Sequence, residues 1–210
     1  MTARTKLAAF ATAATAGFAA IALDVTRHGI LERHDVRIGL WVGAHTPHGF
    51  ERIANVITKL GGAWSLASLT VLGTGLLLRR GNRIDAVLLG GGVVFTSLAT
   101  NGLKIAFGRP RPTIGDLAPA SYTASFPSGH TSGSMVVFVL LAGFLATTHR
   151  RAIVAGAVGL AALIGVTRVV VEAHWTTDVL AGYSLGVAVV ACVLLGRDAL
   201  LARRPEAGPG

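Results

Sequence analysis

The 210-residue sequence has few charged residues, few aromatic residues and a single cysteine. Charged residues make up 14% of the chain, whereas 52% of the residues are hydrophobic. Soluble domains carry about a quarter charged residues, so this composition excludes a disordered chain and indicates several membrane crossings. The lone cysteine, Cys192, excludes an intramolecular disulfide and a cysteine-based zinc site. Because it lies in an apolar stretch, we expect it to be a small buried hydrophobic residue.

Acidic residues are also scarce, with 10 Asp and Glu against 19 Lys and Arg, which gives a formal charge of +9. A basic protein can bind nucleic acid. Here, however, the basic residues fall in short clusters between apolar stretches, the pattern of cytoplasmic loops in membrane proteins. We therefore expect a membrane-embedded protein without a nucleic-acid partner.

Six apolar stretches divide the chain, each able or nearly able to cross about 30 Å of hydrocarbon as a helix. We predict one all-α membrane domain over residues 1–210, a six-transmembrane-helix bundle. Its spans are expected near 7–23, 60–78, 85–107, 128–147, 152–171 and 178–196. The first stretch also fits a cleaved signal peptide. The more polar stretch 24–59 is expected to be an interfacial loop with a short amphipathic helix.

With six crossings, four short clusters of basic residues fall on one side. These clusters are Arg4 with Lys6, Arg79 with Arg80 and Arg83, Arg150 with Arg151, and Arg197 with Arg203 and Arg204. The positive-inside rule then places both termini in the cytoplasm. Gly182 and Gly186 form a GxxxG pattern in the last span, which we assign to packing within the chain rather than to dimerisation.

Some cations fall on the opposite, outer side, where a charge is costly unless it snorkels, is paired or holds an anion. Those at or near the ends of the spans are Lys104, Arg109, Arg111 and Arg168, and further ones lie in the polar stretch 24–59. Lys104 and Arg111 are seven residues apart and could converge on one ligand, although the prolines beside Arg111 indicate that the chain turns between them. A basic flank followed by prolines is also an ordinary end of a membrane helix.

A second outer segment runs from Ser125 to His130 and includes Pro127, Ser128 and Gly129. With Ser125 as a cap, the free N–H groups at the start of the fourth span would form a cradle for an anion. His130 stands where a proton donor to a bound phosphate would be needed. A helix cap followed by an interfacial histidine would give the same pattern.

The third outer segment joins the last two spans and contains Arg168, Glu172, His174 and Asp178. His174 and Asp178 are four residues apart, so on a helical turn the carboxylate can orient one imidazole nitrogen and leave the other free as a nucleophile. Asp178 could instead be only the cap of the sixth helix. Glu172 could be only a partner for a nearby arginine.

The six-span topology brings these three segments to one membrane face, and together they resemble the type 2 phosphatidic acid phosphatases. The signature of these integral-membrane lipid phosphatases is Lys-x6-Arg-Pro, Pro-Ser-Gly-His and Ser-Arg-x5-His-x3-Asp. The matching residues are Lys104 with Arg111 and Pro112, then Pro127 to His130, then Thr167 and Arg168 with His174 and Asp178. Thr167 replaces the family's serine and keeps a hydroxyl.

The resemblance implies a role for each residue. The phosphoryl oxygens would be held by Lys104, Arg111, Ser128, the amide of Gly129, and Arg168. His174 would attack phosphorus while Asp178 fixes its tautomer, and His130 would protonate the leaving oxygen. No metal ion and no other cofactor is expected, because the cations would neutralise the charge that develops.

The resemblance therefore implies hydrolysis of a lipid phosphate or diphosphate monoester at the outer face of a bacterial plasma membrane. Polyprenyl diphosphate, phosphatidylglycerophosphate and phosphatidic acid are candidate substrates, and neither the choice among them nor the oligomeric state follows from the sequence. A phosphotransferase using the same histidine chemistry stays open. The intact His174 and Asp178 argue against a non-catalytic lipid-phosphate binder, and the almost wholly apolar spans argue against a transporter.

Overall fold

The computed structural model describes residues 2–47, 49–112 and 124–203. Within these ranges the chain is helical and contains no strand, which confirms the all-α prediction. The helices are α1 (Ala3–Thr26), α2 (Ile30–His45), α3 (Phe50–Thr58), α4 (Ala63–Arg79), α5 (Arg83–Phe107), α6 (Gly129–Leu145), α7 (Arg150–Val170) and α8 (Thr176–Ala202). A 3₁₀ turn, Lys59–Gly61, connects α3 to α4.

Each predicted apolar stretch coincides with a helix, namely α1 and α4 to α8. Among the described residues, α1, α5, α7 and α8 are long and apolar enough to cross a membrane. Helices α3 and α4 meet that criterion together, although they are bent by 41° at the break between them. Helix α6 is apolar but has only 17 residues. The described chain thus contains four or five candidate membrane spans by length and composition, as expected for a multi-pass membrane protein.

Helix α6 lies at the centre of the bundle and packs against α4, α5, α7 and α8. Its Val136 and Leu140 are fully buried in a cluster with Leu89 of α5. On another side, Val137 packs in a second cluster with Ile164 of α7. A helix that is apolar around its whole circumference suits such a position.

Two glycines allow α6 and α8 to approach closely. A Cβ atom at Gly182 would lie 2.7 Å from the backbone oxygen of Ser128, and one at Gly186 would lie 2.7 Å from Cβ of Met135. Small residues at this spacing let the backbones of membrane helices come together. This contact confirms that the GxxxG pattern serves packing within the chain.

Contacts between helix ends define two opposite ends of the bundle. At one, the basic end, Arg80 donates to the backbone oxygen of Leu145 at 3.3 Å. Arg197 of α8 pairs there with Asp85 of α5 through contacts of 2.6 and 3.0 Å. At the other, which we call the histidine end because it carries His130 and His174, the Ser128 amide donates to the backbone oxygen of residue 178 at 3.0 Å.

Residues 24–59 differ from the prediction of a loop with one short helix. The structure forms two helices here, α2 and α3, after the end of α1. Helix α2 packs against α1, α7 and α8, and α3 packs against α7. Low mean hydropathy concealed α2 because some of its polar residues are buried in ion pairs, as Asp35 is.

Two smaller predictions are also wrong. Ser125 does not cap α6, since the helix begins at Gly129 after Ser128 and the Ser125 hydroxyl donates instead to the backbone oxygen of Pro110 at 3.0 Å. Cys192 is exposed on the outside of α8 rather than buried. In a membrane bundle the outer surface faces lipid, so a small apolar side chain gains little from burial there.

Candidate active site

The histidine end brings the three predicted segments together around one cavity of about 420 Å³. Five of the predicted site residues line it, namely Lys104, Arg111, Gly129, His130 and His174. Ser128 and Asp178 are fully buried. Arg168, near the end of α7, donates through Nη1 to the Thr58 hydroxyl at 3.0 Å. The structure thus joins residues that lie up to 74 positions apart between Lys104 and Asp178.

The chain turn after α5 places Lys104 and Arg111 on the cavity. Helix α5 ends at Phe107 because Gly108 adopts the left-handed conformation, with φ of 57°. Lys104, in the last turn, donates to the backbone oxygen of Ala124 at 2.6 Å. Arg111, beyond the turn, donates to the backbone oxygen of Ala173 at 2.7 Å. The two cations therefore reach the cavity from a helix and a loop rather than from one helix face.

The start of α6 supplies hydrogen-bond donors to the same cavity. Ser128 has extended backbone, and α6 begins at Gly129, whose N–H belongs to the first turn that has no intrahelical acceptor. The Ser128 hydroxyl oxygen accepts from the hydroxyl of Thr131 at 2.9 Å. Its own hydrogen can therefore be donated elsewhere. His130 follows on the cavity wall.

His174 lies in the turn between α7 and α8 and is 2% exposed. Its Nδ1 is 3.3 Å from Oδ2 of Asp178, which leaves Nε2 as the nitrogen available to the cavity. The same carboxylate oxygen accepts from the backbone N–H of Trp175 at 2.9 Å. Asp178 therefore both caps α8 and contacts the histidine, so the two roles weighed from the sequence coexist. Burial lowers the pKa of His174 to about 4, so the ring is neutral near pH 7.

The sequence motifs do not predict that Arg109 forms buried ion pairs with Asp178 and Asp35. Arg109 donates to Oδ1 of Asp178 at 2.6 Å and to Oδ2 of Asp35 at 2.8 Å. Asp35, on α2, also accepts from the backbone N–H of Thr177 at 3.0 Å. The sequence marked Arg109 as a cation on the costly side of the membrane, and this was a signal that it needs a partner. Its partner on α2 is 74 residues away, so spacing alone does not identify it.

Glu172 does not form the arginine pair considered for it within the described part of the chain. It is 8% exposed and has left-handed backbone, with φ of 51°. Its Oε2 has no hydrogen-bond partner among the described residues, and neither has Nε of Arg168. Across the same residues, no group of three or more His, Cys, Asp or Glu side chains is placed to hold a metal ion.

The cavity extends from the polar residues into the membrane-spanning part of the bundle. Leu66 of α4 and Val93 of α5 line this deeper part. Ala67 of α4, and Ser97 and Asn101 of α5, also line it, and all three are exposed. The cavity is therefore open where α4 and α5 meet.

Comparison with known proteins assigns this arrangement to a family. The model of the PAP2 superfamily matches residues 85–200. Over 141 residues the chain is 33% identical to phosphatidylglycerophosphatase B of Bacillus subtilis, an alignment that covers 62% of this chain and 66% of that protein. Over 103 residues it is 40% identical to lipid A 1-phosphatase of Rhizobium etli, covering 45% of this chain and 42% of that protein. The chain thus spans less than two thirds of the length of these curated relatives.

Solved structures share the fold. The crystal structure of the PAP2 type phosphatidylglycerolphosphate phosphatase from Bacillus subtilis matches with a TM-score of 0.81 and 26% identity, covering 91% of this chain and 98% of that one. The crystal structure of Aquifex aeolicus LpxE matches in fold, with a TM-score of 0.62 and 23% identity, covering 75% and 93%. Because the family model matches more than half of its residues, this chain belongs to the PAP2 superfamily.

Proposed function

We propose that this protein hydrolyses a lipid phosphate or diphosphate monoester, without a metal ion, through a phosphohistidine formed on His174. The observation that carries the proposal is the cavity, open between α4 and α5, in which a neutral, carboxylate-bonded histidine meets Lys104 and Arg111. Cations attract the phosphate, the histidine can attack it, and the opening admits the attached chain. The names of the relatives, a phosphatidylglycerophosphatase and a lipid A 1-phosphatase, support the same class of substrate.

Binding of the phosphoryl group would use the donors around the cavity. Lys104, Arg111 and Gly129 line the cavity, and Arg168 and the Ser128 hydroxyl would complete the set of donors. A phosphoryl oxygen would also satisfy the Nε of Arg168, which has no partner among the described residues. Charge spreads over the phosphoryl oxygens in the transition state, so fixed positive groups lower the barrier more than they stabilise the substrate.

The first chemical step would form the P–N bond and break the P–O bond to the lipid. Nε2 of His174 attacks phosphorus, and Asp178 stabilises the imidazolium that develops. His130 donates its proton to the departing oxygen, and the charge of the bound phosphate favours its protonated form. In the second step, His130 takes a proton from water, the water oxygen bonds to phosphorus, and the P–N bond breaks to release inorganic phosphate.

Release of phosphate by the purified, detergent-solubilised protein tests this function. Phosphatidylglycerophosphate, phosphatidic acid and a polyprenyl diphosphate serve as substrates, with the His174→Ala protein as control. We expect release from at least one of them, undiminished by EDTA and inhibited by vanadate, which adopts the five-coordinate geometry of the transition state. No release from any of the three lipids would refute the function. A loss on chelation that a divalent ion restores would refute its metal independence.

We further propose that residues 1–210 form one membrane domain with six crossing helices, α6 included, and with the histidine end facing outward from a bacterial plasma membrane. The arginine clusters at the basic end support this orientation.

Ala44 and Thr148 are exposed at opposite ends of the bundle. In a Cys192→Ala background, a cysteine at position 44 should react with a membrane-impermeant thiol reagent on intact cells, and one at position 148 should not. The reverse labelling would invert the topology. The same orientation would place Thr113 on the outer side, and this residue lies outside the described residues.

A further inference from the structure

Behind the candidate nucleophile lies a buried group that the mechanism above does not use: Asp35, Arg109 and Thr177. Asp35 and Thr177 are each 2% exposed and Arg109 is 8% exposed. They come from three separate parts of the fold, which are α2, the turn after α5, and the first turn of α8. Asp178, which is fully buried, connects this group to His174.

The guanidinium of Arg109 is the centre of this group. Its Nη1 donates to Asp178 at 2.6 Å and to the Thr177 hydroxyl at 2.7 Å, while Nη2 donates to Asp35 at 2.8 Å. Asp35 in turn accepts from the N–H of Thr177 at 3.0 Å and from its hydroxyl. A planar guanidinium offers donors in a fixed fork, so it defines the position of both carboxylates that it contacts.

The charges of this group do not cancel. Two buried carboxylates, Asp35 and Asp178, and the less buried Glu32 share the single positive charge of Arg109. The group therefore keeps a net negative charge, next to a histidine that becomes positive when it attacks phosphorus. An uncompensated buried charge is costly by itself, and it is stabilising when an opposite charge forms beside it.

Arg109 is not placed to hold the substrate. It is absent from the walls of the candidate active-site cavity and instead faces a neighbouring cleft with Glu32 and Trp175. Its guanidinium lies 5.6 Å from the centre of the Trp175 ring. Its charge is directed to the carboxylates, which distinguishes it from Arg111 two residues later.

We propose that Arg109 and Asp35 are positioning residues for His174. Arg109 holds Asp178 so that Oδ2 faces Nδ1 of the histidine, and Asp35 holds Arg109 in that place. The inference rests on the proposed function, and it extends the site to α2, which lies outside the residues 85–200 that match the family.

Kinetics of Arg109→Gln and Asp35→Asn test the proposal, with Glu32→Gln as a matched control. Glu32 lies on the same helix as Asp35, and its carboxylate is 3.7 Å from the same guanidinium. A misplacement of about 1 Å near the reacting atoms costs roughly 10²-fold, so kcat should fall by about that factor in Arg109→Gln and by about tenfold in Asp35→Asn. KM should stay within a few-fold, and Glu32→Gln should resemble wild type. Arg109→Lys should recover only part of the loss, because lysine lacks the fork.

A double-mutant cycle separates positioning from general damage to the fold. If Arg109 acts through Asp178, then Arg109→Gln should cost almost nothing further in an Asp178→Asn background. Full additivity of the two losses would overturn the proposal. So would an equal rise in KM and fall in kcat for Arg109→Gln, since that pattern indicates lost substrate binding.

Nitrogen NMR of ¹⁵N-histidine-labelled protein gives a readout that does not need activity. The His174 signals, assigned by their absence in His174→Gln, should show a proton on Nδ1 in wild type and in Glu32→Gln. In Arg109→Gln and Asp35→Asn we expect this preference to weaken. Unchanged His174 signals in both variants would overturn the proposal. A wild-type protein that hydrolyses none of the lipids refutes the proposed function instead, and the NMR result then decides the positioning separately.

Discussion

Each end of the bundle carries an arginine that pairs with a buried carboxylate and lies beside an aromatic ring. At the basic end, Arg197 of α8 contacts both oxygens of Asp85 on α5, at 2.6 and 3.0 Å. Its guanidinium lies 5.6 Å from the centre of the Phe144 ring. One positive charge meets one negative charge, so this pair connects two helices and has no charge left over.

At the histidine end the same three kinds of group are arranged differently. Arg109 is 5.6 Å from the Trp175 ring, but its charge is shared by two buried carboxylates, Asp35 and Asp178, and by the less buried Glu32. One of these carboxylates also contacts His174. The two ends thus differ in charge balance: the pair at the basic end is balanced, whereas the group at the histidine end is not and contacts the proposed nucleophile.

The largest expected effect is loss of the nucleophile at the histidine end. His174→Ala should lower kcat by about 10⁵-fold or more, the scale on which loss of a nucleophile disables a catalytic unit. Asp178→Asn should lower it by about 10⁴-fold, because an amide does not fix the required tautomer. Phosphate release from a lipid phosphate measures both. Activity in a His174→Ala protein that is free of contaminating phosphatase would show that His174 is not the nucleophile. The net negative charge at the histidine end would then have no imidazolium to stabilise.

His130→Ala distinguishes the proposed role of His130 from that of His174 at the histidine end. A general acid contributes typically ~10²–10⁴-fold, and it matters most when the leaving oxygen is strongly basic. The variant should therefore lose far more activity on phosphatidic acid than on a polyprenyl diphosphate or nitrophenyl phosphate, while His174→Ala loses all three alike. Rates are measured under conditions where chemistry limits turnover. Equal losses on all three substrates would assign His130 to phosphate binding or water activation.

Substitutions of two glycines on α8, one near each end of the bundle, test how tightly the helices pack at those ends. A Cβ at Gly182 would meet the backbone oxygen of Ser128, whereas one at Gly196, nearer the basic end, has no atom within 4 Å. Overpacking costs about 1–3 kcal/mol, so Gly182→Ala should lower both the midpoint of thermal unfolding in detergent and kcat, because it displaces the start of α6. Gly196→Ala should leave kcat unchanged and stabilise the helix by up to ~1 kcal/mol. Matching behaviour of the two variants would contradict the close contact at Gly182.

The smallest effect on catalysis is expected at the basic end. Asp85→Asn removes a carboxylate from a mostly buried pair and should lower the free energy of unfolding by about 1–3 kcal/mol. It should leave kcat unchanged, because the ion pair of Asp85 and Arg197 is remote from the cavity and its charges are balanced. Unfolding in detergent and phosphate release are measured on the same preparation. A fall in kcat without loss of stability would give the basic end a part in the reaction.

The membrane helices could be predicted closely from the sequence because their signals are local. The stretches 85–107 and 152–171 were expected, and the helices are Arg83–Phe107 and Arg150–Val170. Length, apolarity and flanking charges determine such boundaries. Helix α2 could not be found this way, since its buried Asp35 is stabilised by groups that reach it only in the folded chain.

The residues around the cavity could be predicted from motif spacing, whereas the buried group of Asp35, Arg109 and Thr177 behind them could not. Lys104, Arg111, His130 and His174 all line the cavity as expected. Their roles in catalysis stay predictions until the variants are measured. Arg109 was visible as a charge on the wrong side of the membrane, yet its partners depend on how helices pack, which no local pattern encodes.

Helices α5 and α8 each carry two charged residues whose spacing is close to the thickness of a membrane. Lys104 follows Asp85 by nineteen positions in α5, and Arg197 follows Asp178 by nineteen positions in the antiparallel α8. At about 1.5 Å per residue, each interval spans about 28 Å, close to the hydrocarbon thickness of a bilayer. The charged residues at both ends of the two helices are therefore spaced to lie at the two boundaries of the hydrocarbon layer. In the proposed membrane orientation, this spacing would place the cavity at the depth where a phospholipid carries its phosphate. The lipid would then reach the cavity by moving sideways within its own leaflet, and a thicker or thinner bilayer would shift that phosphate away from the level of His174.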